Sequence, residues 1–182
     1  MLRRSDKSPA PSLRRLRCTA VAVSSVHSTA GATTRTSGPP EGHLVIVGGG
    51  MSAESGIAAK FIELGGGVGV TRVVIIPTAG LPTDGTGDAS KAAANMVRMF
   101  IAEGAASVDV LHTVDRNLAD TDAFAAPIRK ATAVFFGGGR QWKIFDAFAG
   151  TKVQSEVRAV LSRGGVVGGS SAGASILGSV SA

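Results

Sequence analysis

From Leu44 onward, short apolar runs alternate with longer amphipathic segments. Leu44-Val45-Ile46-Val47 stops at Gly48-Gly49-Gly50, and Arg72 to Ile76 stops at Pro77. Ser107 to Leu111, Ala133 to Phe136 and Gly165 to Val167 are further runs of the same kind. They are rich in β-branched or aromatic residues and lack clean alternation, which predicts strands buried on both faces. Between them, Ser52 to Leu64, Asp88 to Glu103, Asp122 to Lys130, Gln141 to Phe148 and Lys152 to Ser162 read as helices, each ending near glycine or a basic residue. In Asp88–Glu103 the stripe Ala89, Ala92, Ala93, Met96 and Phe100 is the core face, and Met96 and Phe100 are read as packing residues. This alternation predicts an α/β fold: a three-layer sandwich with a mostly parallel sheet and helices on both faces. No internal repeat is visible.

The first 43 residues do not follow this pattern. They hold seven Lys/Arg against two acids, whereas residues 44–182 hold twelve against eleven, so the net charge of +6 is concentrated in the leader. The basic segment has no interleaved aromatics, which argues against a nucleic-acid partner. Arg3–Arg17, the apolar stretch Cys18–Val26 and Ala30-Gly31-Ala32 together resemble an export signal. The plainer reading is a disordered Ser/Thr/Pro/Arg-rich leader, with the cytoplasm the favoured compartment. Cys18 is the single cysteine, which excludes an intrachain disulfide and a cysteine-based metal cluster. No run reaches the 18 or more apolar residues of a membrane-spanning helix.

In parallel sheets, chemistry gathers at the carboxyl ends of the strands. That rule sets Gly48–Gly50, Pro77–Gly80, His112, Gly137–Gln141 and Ser171 along one edge. Gly169-Ser170-Ser171-Ala172-Gly173 is a G-x-S-x-G motif between an expected strand (Gly164–Gly169) and an expected helix (Ala172–Leu177). This is the spacing of a nucleophile elbow, which presents a serine hydroxyl at a helix N-terminus; the alternative is a small-residue turn packed on the sheet. Ser170 and Ser175 lack glycine at two-residue spacing on both sides. Gly137-Gly138-Gly139-Arg140-Gln141 is either one half of an oxyanion hole or a strand-to-helix turn. Gly48-Gly49-Gly50-Met51-Ser52-Ala53 fits the dinucleotide fingerprint. The ribose-binding acid expected after the second strand is replaced by Pro77-Thr78-Ala79, and the nearest acid beyond is Asp84.

Phe135 to Trp142, Gly150-Thr151 and Gly164 to Ala174, together with Leu44–Gly50 and Val73–Ala79, resemble the cyanophycinase and dipeptidase E serine peptidases. The resemblance covers residues 44–182. It implies a fold like that of class I glutamine amidotransferases and a hydrolase acting on a peptide or dipeptide, with aspartyl substrates in view and no metal or organic cofactor. It makes Ser171 the nucleophile, puts Gly139 and Ala172 at the oxyanion hole, and sets Gly138, Arg140 and Gln141 against the substrate. Two positions depart from the family pattern. Arg140 stands where cyanophycinases carry Asp, and the family's histidine and acid follow the serine by more residues than remain before Ala182. Residues 44–182 are therefore expected to be the N-terminal part of a peptidase domain, incomplete at its C-terminus and nearly inactive alone. His112 is the upstream candidate for a substitute base. The competing classes are a nucleotide-binding module and a noncatalytic α/β scaffold.

Overall fold

The computed structural model describes residues 42–178; the basic leader and its targeting reading lie outside the described residues. Five strands are present: β1 (His43–Val47), β2 (Arg72–Ile76), β3 (Ser107–Val110), β4 (Ala133–Phe136) and β5 (Val166–Ser170). They form one sheet in the order β1-β5-β4-β2-β3, with every pair parallel. The helices are α1 (Ile57–Leu64), α2 (Ala89–Ala102), α3 (Arg116–Ala119), α4 (Asp122–Lys130), α5 (Gln141–Phe148), α6 (Lys152–Ser162) and α7 (Ala172–Ser175).

Two buried clusters sandwich the sheet, as the run-and-helix pattern predicts. On one face α1 and α2 cover Val73, Ile75 and Phe135, and Phe61, Phe100 and Phe135 meet with ring centroids 5.2 to 5.5 Å apart. On the other face, side chains of α4 to α7 pack on Val74, Ile76, Val134, Phe136 and Val167. Burial of these β-branched and aromatic side chains, about 1.5–3 kcal/mol each, is the main force holding the layers together. The helix starts follow local chemistry. Asp88 accepts from the Lys91 N–H at 2.9 Å to cap α2, and Thr121 accepts from the Phe124 N–H at 3.3 Å to cap α4.

Four elements differ from their sequence expectation. The segment Ser52–Leu64 is not one helix: a 3-10 turn (Ala53–Ser55) ends at Gly56, whose φ of 70° breaks the α path before α1. β1 is not buried on both faces. Val45 and Val47 point into the α1/α2 cluster, whereas Leu44 and Ile46 are 40% and 45% exposed, because β1 is an edge strand with one uncovered face among the described residues. Against the expected strand Gly164–Gly169, β5 starts at Val166 and ends one residue later, at Ser170, since β4 pairs it through Gly169 and β1 through Ser170. In α2, Ala92 lies outside the buried stripe, while Ala93 and Phe100 are fully buried and Met96 is partly so. The short helix α3 and a 3-10 turn at Thr78–Gly80 add elements with no periodic signal.

Candidate active site

Ser171 joins the end of β5 to the start of α7. Its φ and ψ are 51° and −116°, and it is the only residue other than glycine with positive φ among the described residues. A non-glycine residue in such a conformation costs roughly 1–3 kcal/mol and persists only where its surroundings enforce it. Here they do. The Ser171 N–H donates to the Val47 carbonyl at 2.9 Å, and the Ser171 carbonyl accepts from Ala174 and Ser175 N–H at 2.9 and 3.0 Å. The two motif glycines are required by contact: a Cβ on Gly169 would lie 2.3 Å from the Gly173 backbone, and one on Gly173 would lie 2.2 Å from the Phe136 carbonyl oxygen. The strand-to-helix crossing is thus too tight for any side chain.

The loop after β4 faces this turn. A Cβ on Gly138 would come within 3.4 Å of the Ser171 Cβ, so the two backbones oppose one another. Gly139 has φ of 139° and rests on the Thr78–Gly80 turn so closely that a Cβ there would sit 2.1 Å from the Ala79 oxygen. The same oxygen accepts the Arg140 N–H at 2.9 Å. Neither the Gly138 nor the Gly139 N–H has a protein acceptor among the described residues. The Ala172 N–H, at the first position of α7, has no partner within its helix. Together the two segments bound an open cleft of about 390 Å³, whose walls include Ile46, Gly48, Gly139, Gln141, Ser171 and Ala172.

The residues singled out from the sequence therefore fall into two groups. Ser171, Ala172, Gly139 and Gln141 line the cleft, and Gly138 lies behind it against Ser171. Arg140 is exposed at the N-cap of α5 and has no side-chain partner among the described residues. His112 is not brought to Ser171. It follows β3, three strand spacings from β5, or about 14 Å. Its Nδ1 lies 3.0 Å from the Thr78 hydroxyl, and burial pushes its pKa below the ordinary 6.5. The dinucleotide geometry is absent for a similar reason: β5 and β4 stand between β1 and β2, so the end of β2 is remote from the Gly48–Gly50 loop. Sequence reasoning missed Ile46 as a cleft wall and the Thr78–Gly80 turn as the support of Gly139. The only local signal for the turn was Pro77 closing a strand.

Among the described residues, no titratable side chain lines the cleft. No helix among the described residues is long and apolar enough to cross a membrane.

Comparison with known proteins gives concordant matches. A family model described as peptidase family S51 matches residues 44–182. A cyanophycinase of Geminocystis herdmanii (strain PCC 6308) is 29% identical over 138 residues, covering 74% of this chain and 48% of the relative. The chain thus spans about half the length of the curated relative it matches. A crystal structure of a peptidase from an acI-B1 Actinobacterium superposes with a TM-score of 0.59 at 23% identity, covering 75% of this chain and 57% of the other, and shares the fold.

Proposed function

The chain belongs to peptidase family S51, and from that premise we propose that Ser171 is the nucleophile of a serine-type peptidase. The observation that carries the proposal is the enforced positive φ of Ser171 at a strand-to-helix turn that lines a cleft. Strain of this kind is the mark of a serine held out of the regular backbone for attack.

In this reading the Ser171 Oγ attacks a peptide carbonyl, and the N–H groups of Gly139 and Ala172 receive the developing oxyanion. The amine leaves with a proton, and water then hydrolyses the acyl-enzyme. Each oxyanion donor is worth about 10²–10³ in rate. The general base does not come from the described residues, because none of the cleft walls is titratable and His112 is three strands away. The family resemblance puts a histidine and an acid after the serine. A chain without such a base should react slowly, since loss of the base in a triad enzyme costs on the order of a millionfold in kcat. Gln141, in the cleft wall, contacts the substrate, and Gly138, against Ser171, lets the loop approach it. The Arg140 guanidinium, without a side-chain partner among the described residues and between Gly139 and Gln141 in sequence, pairs a substrate carboxylate and favours acidic, aspartyl-type peptides.

The test is reaction with a fluorophosphonate probe, with the adduct mapped by mass spectrometry. Slow labelling that maps to Ser171 and disappears in Ser171→Ala is expected. An adduct on Ser170 or Ser175, or labelling that survives in Ser171→Ala, would refute the nucleophile. Rapid labelling would show instead that a base is already within reach. For Arg140, phosphonate probes bearing an acidic or a neutral side chain are compared, and Arg140→Ala should slow the acidic one selectively. Equal loss with both removes the specificity role.

A further inference from the structure

We propose that His112 is a positioning residue: through Thr78 it holds the turn on which the Gly137–Arg140 loop rests, and so sets the place of the Gly139 N–H. The inference rests on the reading of Gly139 as an oxyanion donor, but the coupling it describes is structural and can be measured without catalysis.

The contacts form a continuous chain. His112 Nδ1 lies 3.0 Å from the Thr78 hydroxyl. Thr78 is buried and begins the 3-10 turn, which is closed by the Gly80 N–H donating to the Pro77 carbonyl at 3.0 Å. The next residue, Ala79, accepts the Arg140 N–H at 2.9 Å and is in van der Waals contact with Gly139, where no Cβ fits. Gly80 in turn faces the Gly138 carbonyl, since a Cβ on it would lie 3.2 Å from that oxygen. Movement of the turn therefore moves the glycine loop, because there is no slack at Ala79 to absorb it.

The other ring nitrogen gives the arrangement a sense of direction. Nε2 is buried and has no hydrogen-bond partner among the described residues. A neutral ring leaves one weakly polar atom unsatisfied there. A protonated ring would put a charged N–H in the same place with no acceptor, which is far costlier. Burial is the sole cause of the lowered pKa of His112, with no charged side chain among the described residues contributing. In this reading protonation shifts the ring, and the shift passes through Thr78 to Ala79 and the loop.

The experiment is a pH titration of the ¹⁵N-labelled full chain by NMR, downward from neutral pH, following the His112 ring and the Gly138 and Gly139 amides. The amides should move with the ring at one shared midpoint below 6.5. In Thr78→Val the ring should still titrate while the glycine amides cease to follow it, and Thr78→Ser should restore the coupling. A Gly139 amide that ignores the ring in the unsubstituted chain, or follows it equally in Thr78→Val, would overturn the proposal. If Thr78→Val does not fold, the unsubstituted chain and Thr78→Ser decide. A second readout is the rate of Ser171 phosphonylation, expected to fall about tenfold in Thr78→Val and to stay within about twofold in Thr78→Ser, as for a displaced donor. Failure of labelling in every version would count against the nucleophile and leave the NMR coupling standing. Lost coupling with labelling intact would count against this proposal alone.

Discussion

Ser171 gives up backbone comfort for position. Its φ of 51° and ψ of −116° are enforced by the Val47 hydrogen bond and by the start of α7. Ser171→Gly should therefore raise stability by about 1 kcal/mol, the relieved strain being partly offset by the greater chain entropy of glycine, while abolishing probe labelling. Urea unfolding checks the first half, and an unchanged or lower midpoint would remove the strain argument. The neighbouring glycines separate into those the fold needs and those it does not. Gly173→Ala should cost about 1–3 kcal/mol or more, because the new methyl meets the Phe136 carbonyl at 2.2 Å. Gly49→Ala should be neutral or stabilising by up to about 1 kcal/mol, since its φ is not positive and nothing lies within 4 Å of the added atom. Similar thermal shifts in the two variants would contradict this division.

Among the elements, β1 shows how position in the sheet overrides an apolar run. Its four apolar residues look alike in sequence. Among the described residues β1 pairs on one side only, with β5, and one of its faces is uncovered, which leaves backbone groups on its other side unpaired and Leu44 and Ile46 exposed. An exposed apolar edge of this kind favours self-association. Leu44→Lys should lower concentration-dependent association in light scattering and change stability by no more than about 0.5 kcal/mol, because Leu44 is 40% exposed and lies away from the cleft. Unaltered association in that variant would point to another surface. The 3-10 turn Thr78–Gly80 makes the complementary point: three residues with no hydrophobic period decide where the Gly139 loop sits.

For the whole molecule, the sheet order β1-β5-β4-β2-β3 sets the elbow and the glycine loop on adjacent strands and keeps His112, after β3, three strands from the elbow. The lowered pKa of His112, caused by burial, ties the stability of the whole fold to pH. The unfolded chain binds a proton at that ring more readily than the folded one, so stability rises with pH between the lowered folded value and 6.5 and is then unaffected by this group. Urea midpoints across that interval should climb, and His112→Gln should remove this contribution to the slope. An identical slope in the variant would assign the effect to other groups.

The sequence by itself determined most of the strand and helix segments of the body, the parallel three-layer class, and the tight strand-to-helix turn at Ser171. These depend on local period, on β-branched content and on glycine spacing within five residues. That Gly138 and Ser171 lie on one edge was also legible, because both follow parallel strands; that they face each other depends on β4 and β5 being neighbours. Only the tertiary structure decided which strand lies at the edge, and hence that Ile46 walls the cleft, that β2 is remote from the Gly48–Gly50 loop, and that His112 bonds Thr78 and not Ser171. Strand order arises from pairing between segments such as His43–Val47 and Val166–Ser170, far apart in the chain, and from packing on both faces at once. No local pattern carries that information.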